Sequence, residues 1–382
     1  MIIKTQKQLD DVCASLSTKP YLTIDTEFLR DKTYYSKLCL IQLAGPDIDA
    51  VAIDPIEYDL DLTSFHALMQ NENVIKVFHA ARQDLEIFYQ INGQIPTPLF
   101  DSQVAAMVCG YGDSIAYNKL VEGITGTALA KNAQFTDWSR RPLSDKQIKY
   151  ALDDVIYLRD VYESLSAQLE KQNRTSWLKQ EMDILTNPQT YDIDVNMVWK
   201  RIKIRSDKPE VLAILRDLAK WREEQAQQKN VPRNRIIKDD ALADISVYMP
   251  KNSEGLSRIR NVPKDMVRGN KADKIISIIN NARRSNKDDW PKVKRGKPFP
   301  KDATPILEML KLLLKINCSE ADVAPKLIAN VKDLEEIAVS DTPECNAVKG
   351  WRLEVFGNDA LALKQGEITL GLKNGKIHKF NA

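Results

Sequence analysis

The sequence predicts an α/β domain with a mixed sheet over residues 1–172, followed by two small all-α domains at residues 205–285 and 300–382. Three observations predict it. Short apolar runs alternate with helical periodicity through the first 170 residues. After about residue 195, strand signals give way to amphipathic helices and Pro-bounded loops. The charge divides at similar places: residues 1–170 carry 15 Lys/Arg against 24 Asp/Glu, and residues 251–301 carry 15 against 5, within a chain of net charge +2. A length of 382 residues is itself more than one typical domain.

Tyr21-Leu22-Thr23-Ile24 is a short apolar run ending on Asp25. Leu38-Cys39-Leu40-Ile41-Gln42-Leu43 and Ala50-Val51-Ala52-Ile53 are the next two strands, with Tyr34 and Tyr35 assigned to the first of this pair. The spacers are too short for crossover helices, so an antiparallel meander is expected. Val74-Ile75-Lys76-Val77-Phe78 forms a fourth strand that leads directly into a helix, and Leu99-Phe100 starts a short fifth. From Asp145 to about Glu170, Ile148, Leu152, Val155, Leu158 and Leu165 recur at helical spacing. Residues 209–229 form an amphipathic helix with Leu212, Leu215, Leu218, Ala219 and Trp221 on its apolar side, broken by Val231-Pro232-Arg233-Asn234. Residues 286–301 read as a basic linker. Thr304-Pro305 starts a second helical pattern, weakly similar to the first.

No stretch has the roughly 18 apolar residues needed to cross a bilayer, and no signal-peptide pattern opens the chain. Cys13, Cys39, Cys109, Cys318 and Cys345 are scattered, odd in number and contain no CxxC pair. Buried free thiols in a cytoplasmic protein are expected, and a zinc site or disulfide framework is not.

Four carboxylates stand out by position. Asp25 ends the first strand, and Glu27, two residues on, shares its side of an extended backbone. Asp84 lies in the first turns of the helix after strand four. Asp154 lies four residues after Tyr150 and hence on the same helical face, whereas Asp153 points elsewhere. Hard oxygen donors clustered at a sheet edge suit Mg²⁺ or Mn²⁺. Two such ions can activate water and stabilise the leaving oxygen in phosphodiester cleavage.

Asp25-Thr26-Glu27-Phe28, His79-Ala80-Ala81-Arg82-Gln83-Asp84-Leu85-Glu86 and Tyr150-Ala151-Leu152-Asp153-Asp154-Val155 resemble, in order, the three motifs of the tyrosine-bearing branch of the DEDD exonuclease superfamily. With the segment over residues 25–42 and Trp138-Ser139-Arg140-Arg141-Pro142-Leu143, the whole chain resembles the bacterial ribonuclease D family. Leu218-Ala219-Lys220-Trp221-Arg222-Glu223 and Val231-Pro232-Arg233-Asn234 are similar to the HRDC domain, which that family typically carries twice. The resemblance implies an RNase H-like exonuclease fold and two HRDC-type domains. It implies 3′→5′ removal of nucleotides from RNA as 5′-monophosphates, on substrates such as tRNA precursors with a single-stranded 3′ end. It also implies two divalent ions, Mg²⁺ or Mn²⁺. Asp25, Glu27 and Asp154 would hold the tighter ion, with Asp25 and Asp84 helping to hold the second. Tyr150 would orient or help deprotonate the attacking water, and Glu27 could contact the terminal ribose. A monomer that binds no membrane is expected.

Other residues leave two readings open. His79 could touch substrate phosphate or join strand end to helix start by a structural hydrogen bond. Asp101 could support a metal-bound water or cap a helix. Phe28 could stack on a terminal base or pack in the core. Trp138 with Arg140 and Arg141 could cover the entering strand or form a plain turn. Trp221 reads as core, while Arg222 could face solvent or substrate. Arg258, Arg260, Lys264 and Arg268, with Lys292, Lys294, Arg295 and Lys297 in the linker, could attract RNA phosphate or merely keep the segment soluble. A DNA exonuclease and a catalytically silent nucleic-acid scaffold remain as rival functions.

Overall fold

The computed structural model describes residues 1–129, 136–292 and 298–382. Six strands form one mixed sheet in the order β1-β4-β3-β2-β5-β6: β1 (Ile2–Ile3), β2 (Tyr21–Leu29), β3 (Lys37–Gly45), β4 (Ile48–Ile53), β5 (Ile75–Phe78) and β6 (Leu99–Asp101). The expected meander is present, with β2, β3 and β4 antiparallel. Only residues 46 and 47 separate β3 from β4, with Asp47 at φ 57° in the turn. β5 runs parallel to β2, and β6 parallel to β5, because a helix intervenes before each: α2 (Thr63–Met69) and α3 (Arg82–Asn92). α1 (Gln6–Leu16) closes with α2 over one face. β1 was not foreseen, since two residues are too few for a period.

The two faces of β2 separate structure from chemistry. Leu22 and Ile24, with Ile41 and Leu43 of β3, enter the large core. On the other face Thr23 and Asp25 lie opposite Ala44 and Gln42 in register. After α4 (Ser102–Val108) and α5 (Tyr117–Thr125), helix α6 (Asp145–Lys171) lies across this second face. A capping box between Ser144 and Gln147 starts α6. The Thr23 hydroxyl donates to the Val155 carbonyl at 2.8 Å and pins the helix to the strand beside Asp154.

The first core continues through α7 (Thr175–Leu185) to Tyr191. A second is built on the helix α8 (Pro209–Lys229), as the periodicity predicts, with α9 (Arg233–Ile236), α10 (Asp239–Tyr248), α11 (Ser253–Ser257) and α12 (Gly269–Arg284). Trp221 belongs to that core. Arg222 faces neither solvent nor substrate: it is buried against Asp239 at 2.6 Å and the Ile237 carbonyl. Tyr34 and Tyr35 precede β3 rather than joining it. Their backbone amides donate to the Asn230 side chain, and the Tyr34 phenol reaches Glu223. This loop therefore fastens the sheet to α8.

A third core is built on α13 (Thr304–Glu320), α14 (Pro325–Ile328), α15 (Val331–Val339) and the helical stretch over 350–365. The expectation of an all-helical end is corrected by an antiparallel hairpin, β7 (Ile368–Lys373) with β8 (Lys376–Asn381). Its signal is local: Asn374-Gly375, both at positive φ, sits between alternating runs. The third unit docks on the first. Trp351 stacks on Trp177 with centroids 4.3 Å apart and planes 9° from parallel, Arg352 pairs with Glu181, and the Ala324 amide donates to Met107. All five cysteines are buried and free, as expected.

Candidate active site

Extended backbone puts Asp25 and Glu27 on the α6 side of β2, and a bulge follows between Glu27 and Phe28. One carboxylate oxygen from each of Asp25, Glu27 and Asp154 lies within 4.8 Å of the others. Asp84 stands outside this trio. It is 6% exposed on the first turn of α3, and it accepts a hydrogen bond from the Thr26 hydroxyl. Asp153 turns away to Lys149, 2.8 Å distant, so the two neighbouring aspartates are separated by helix geometry.

Burial and mutual repulsion dominate the electrostatics. Burial pushes the Asp25 carboxyl up to about 7 against a bond from the Thr26 backbone. Burial and the charges of Asp25, Asp154 and Asp84 push Glu27 up to about 10. Burial, then Asp25 and Asp153, push Asp154 to about 9. Asp84 is raised well above the carboxylate range by burial and by Asp25. A set of acidic oxygens held this close is relieved by protons or by a cation. Its all-oxygen donors fit hard divalent ions.

The cleft beside the trio has a volume of about 200 Å³ and is bordered by Asp25, His79, Tyr117, Asn118, Tyr150 and Asp154. Tyr150 interacts with Asp154, and burial with the nearby carboxylates drives its phenol well above the ordinary value. Trp138, 2% exposed, lies 6.2 Å from Tyr150 centroid to centroid and buttresses it. Arg141 is spent on Asp54, through two contacts of 2.6 Å, and on backbone carbonyls. Trp138 and Arg141 thus form a structural turn, and Arg140 alone of the three is exposed.

His79 commits both ring nitrogens. Nε2 donates to the Ile115 carbonyl at 3.2 Å, so Nδ1 accepts from Ser102 at 2.9 Å. Burial depresses its pKa to about 4, leaving it neutral. What it offers the cleft is ring surface. Among the described residues, neither Lys nor Arg borders the cleft. Asp101 caps α4 and accepts from the Ala80 and Ala81 amides at 2.9 Å. It thereby holds Ala80 at φ 60°, the unfavourable turn that launches Asp84. Phe28 is half-buried and belongs to no apolar cluster among the described residues.

Three neighbours escaped sequence reasoning. Thr26 has no local signal, because its partner Asp84 lies 58 positions away. Tyr117 packs 5.3 Å from His79 between centroids, with no local signal. Gln42, wholly buried opposite Asp25, has no partner for either amide atom. The basic residues lie in the second unit: Arg258 pairs with Glu254, Arg260 borders a separate cleft with Tyr248, and Lys264 and Arg268 flank the start of α12, all exposed. Lys294, Arg295 and Lys297 fall outside the described residues.

Residues 1–170 match a family model described as 3′-5′ exonuclease, and residues 211–279 match the HRDC domain. The chain is 45% identical to ribonuclease D of Nitrobacter hamburgensis and 47% identical to that of Jannaschia sp., each over 98% of both chains. The crystal structure of Escherichia coli RNase D, described as an exoribonuclease involved in structured RNA processing, superposes with a TM-score of 0.83 at 25% identity, over 96% of this chain and 98% of that one. No described helix is long and apolar enough to cross a membrane. By full-length likeness in sequence and fold, the chain belongs to the ribonuclease D family of metal-dependent 3′→5′ exoribonucleases.

Proposed function

We propose that this exoribonuclease trims tRNA precursors and similar folded RNAs, one nucleotide at a time, as a monomer in the cytoplasm. Two divalent ions, Mg²⁺ or Mn²⁺, would be held by Asp25, Glu27, Asp84 and Asp154. The observation that carries the reading is the trio of carboxylate oxygens within 4.8 Å, two of whose residues, Asp25 and Asp154, border a cleft with Tyr150. Bound ions would supply an acidified water and neutralise charge on the leaving 3′ oxygen.

The chain's own groups do the rest. Asp25, Glu27 and Asp154 gather the positive charge, and Asp84, steadied by Thr26, extends the site toward α3. The Tyr150 phenol, which borders the cleft and interacts with Asp154, would orient the attacking water. Glu27, beside the bulge, can accept a hydrogen bond from the terminal ribose. Phe28, half-buried and outside the core clusters, can stack on the terminal base. His79 and Tyr117 form the cleft wall. Attack on the last phosphodiester then releases a 5′-monophosphate and a new 3′ hydroxyl.

The substrate assignment is supported by the HRDC match at 211–279 and by the exposed Arg258, Arg260, Lys264 and Arg268. We assign residues 1–172, 205–285 and 300–382 to the nuclease and two HRDC-type domains, the second diverged. Five buried free thiols support a reducing compartment. The test is a 5′-labelled RNA with a 3′ overhang, incubated with Mn²⁺ or EDTA. Shortening from the 3′ end that needs the metal and vanishes in Asp25→Asn is expected. Shortening that survives Asp25→Asn would overturn the site, and preference for matched DNA would overturn the substrate.

A further inference from the structure

A cavity of about 1170 Å³ lies away from the nuclease cleft, where the chain leaves the first core and enters α8. Its wall is the connector over 196–207, closed by Arg216 of α8 and by Asp289 and Lys292. Between Met197 and Ser206 the sequence holds four basic residues, Lys200, Arg201, Lys203 and Arg205, and no acidic one. The pattern of alternation is decisive. Ile202 is buried in the second core and Ile204 is half-buried against it. Ile202, which ends the preceding 3-10 turn, is itself extended (ψ 122°). The two isoleucines are turned inward, and Arg201, Lys203 and Arg205 between and beside them are exposed.

This cationic row is uncommitted. Among the described residues, Lys200, Arg201, Lys203, Arg205 and Lys292 form no ion pair, whereas the neighbouring Arg216 is engaged by Asp217 and the Asp289 carbonyl. The cations of the lining outnumber its two carboxylates, Asp207 and Asp289, so the cavity carries net positive charge that suits a polyanion. The cavity is far larger than a single phosphate needs, and the row suits successive phosphates of one strand. The connector joins the nuclease to the HRDC unit along the chain.

We propose that the connector is a second RNA-binding site, in which Lys200, Arg201, Lys203, Arg205 and Lys292 grip the sugar-phosphate backbone without reading bases. This rests on the reading of the substrate as RNA, and it adds a site distinct from the 258–268 segment. Guanidinium groups at both ends of the row favour two-point contacts to phosphate.

The test uses the full chain carrying Arg201→Gln, Lys203→Gln and Arg205→Gln together. Binding of a hairpin RNA with a 3′ tail is followed by fluorescence anisotropy in EDTA across a salt titration. Loss of three phosphate contacts should weaken binding about tenfold or more at moderate salt and reduce the slope of log K against log salt by about 2 to 3. Cleavage of a short unstructured RNA with Mn²⁺ should stay at the wild-type rate, because such a strand does not reach the connector. The charge-preserving pair Arg201→Lys with Arg205→Lys should retain most of the affinity, which separates charge from packing. Unchanged affinity and slope would overturn the proposal, as would an equal loss of cleavage on the short strand. Loss of binding to phosphatidylglycerol–phosphatidylcholine vesicles with RNA binding intact would also overturn it, in favour of a membrane contact. Failure of the wild type to shorten any RNA would instead strike the substrate reading itself.

Discussion

The hydroxyl of Thr26 donates a hydrogen bond to the carboxylate of Asp84, which lies 58 positions further along the chain. Asp25 and Glu27 turn to one side of β2 and Thr26 to the other. One short stretch of strand thus presents two carboxylates and steadies a third. Thr26→Val keeps the shape and removes the donor. It should cost about 1–3 kcal/mol of stability and raise the Mn²⁺ concentration needed for half-maximal cleavage. Urea denaturation and a metal titration measure the two effects, and an unchanged metal requirement would show that Asp84 needs no such support.

Asp154→Asn removes an ionisable group from the crowded trio. Without metal the variant should melt above wild type at pH 8, because the unfolded chain carries Asp154 ionised while the folded chain must protonate it, a cost that Asn lacks. Its cleavage rate with Mn²⁺ should fall by about 10³-fold. A lower melting temperature in EDTA would mean that Asp154 stabilises the fold instead.

The pH dependence has a defined sign. Asp25, Asp154 and Glu27 have folded values of about 7, 9 and 10, all above their ordinary range. A raised carboxyl binds its proton more tightly in the folded chain. Its stabilising effect is therefore full below about pH 4 and is lost as pH rises through the folded value. Metal-free protein should lose stability from pH 6 to pH 10. Divalent ions compete with those protons, so apparent Mn²⁺ affinity should climb over the same window. Calorimetric titrations at several pH values measure it, and a pH-independent affinity would contradict the coupling.

Tyr150→Phe retains the ring beside Trp138 and deletes the hydroxyl. The rate should drop about 10²-fold, with metal affinity and melting temperature close to wild type. Parallel loss of metal binding would place the phenol in the ion site rather than against water.

Trp177→Ala breaks the stack with Trp351 and should destabilise the chain by about 3 kcal/mol. Removal of residues 290–382 would likewise uncover Trp177 and Glu181 and leave the Met107 carbonyl without its Ala324 donor. That truncation should therefore lower the melting temperature of the nuclease unit as well as weaken RNA binding.

Local rules made much of the site legible. Two acids at a period of two share one side of a strand, and Tyr150 and Asp154 share a helical face because four residues are nearly one turn. The helix over 209–229 followed from periodicity, and the hairpin at 368–381 could have followed from Asn374-Gly375. Tyr34 could not be placed locally, because its partner Glu223 is 189 residues away. The same holds for Gln42 opposite Asp25 and for Arg222 against Asp239.

By itself, then, the sequence determined most of the element types and the order of the motifs, since each depends on spacing within a strand or helical turn, while the family resemblance singled out the four candidate acids. Only the tertiary structure decided which acids converge, that His79 and Arg141 are spent on structure, and that the cations of the connector are left uncommitted. Those outcomes depend on register between strands, on burial and on partners distant in the chain, which no local period encodes.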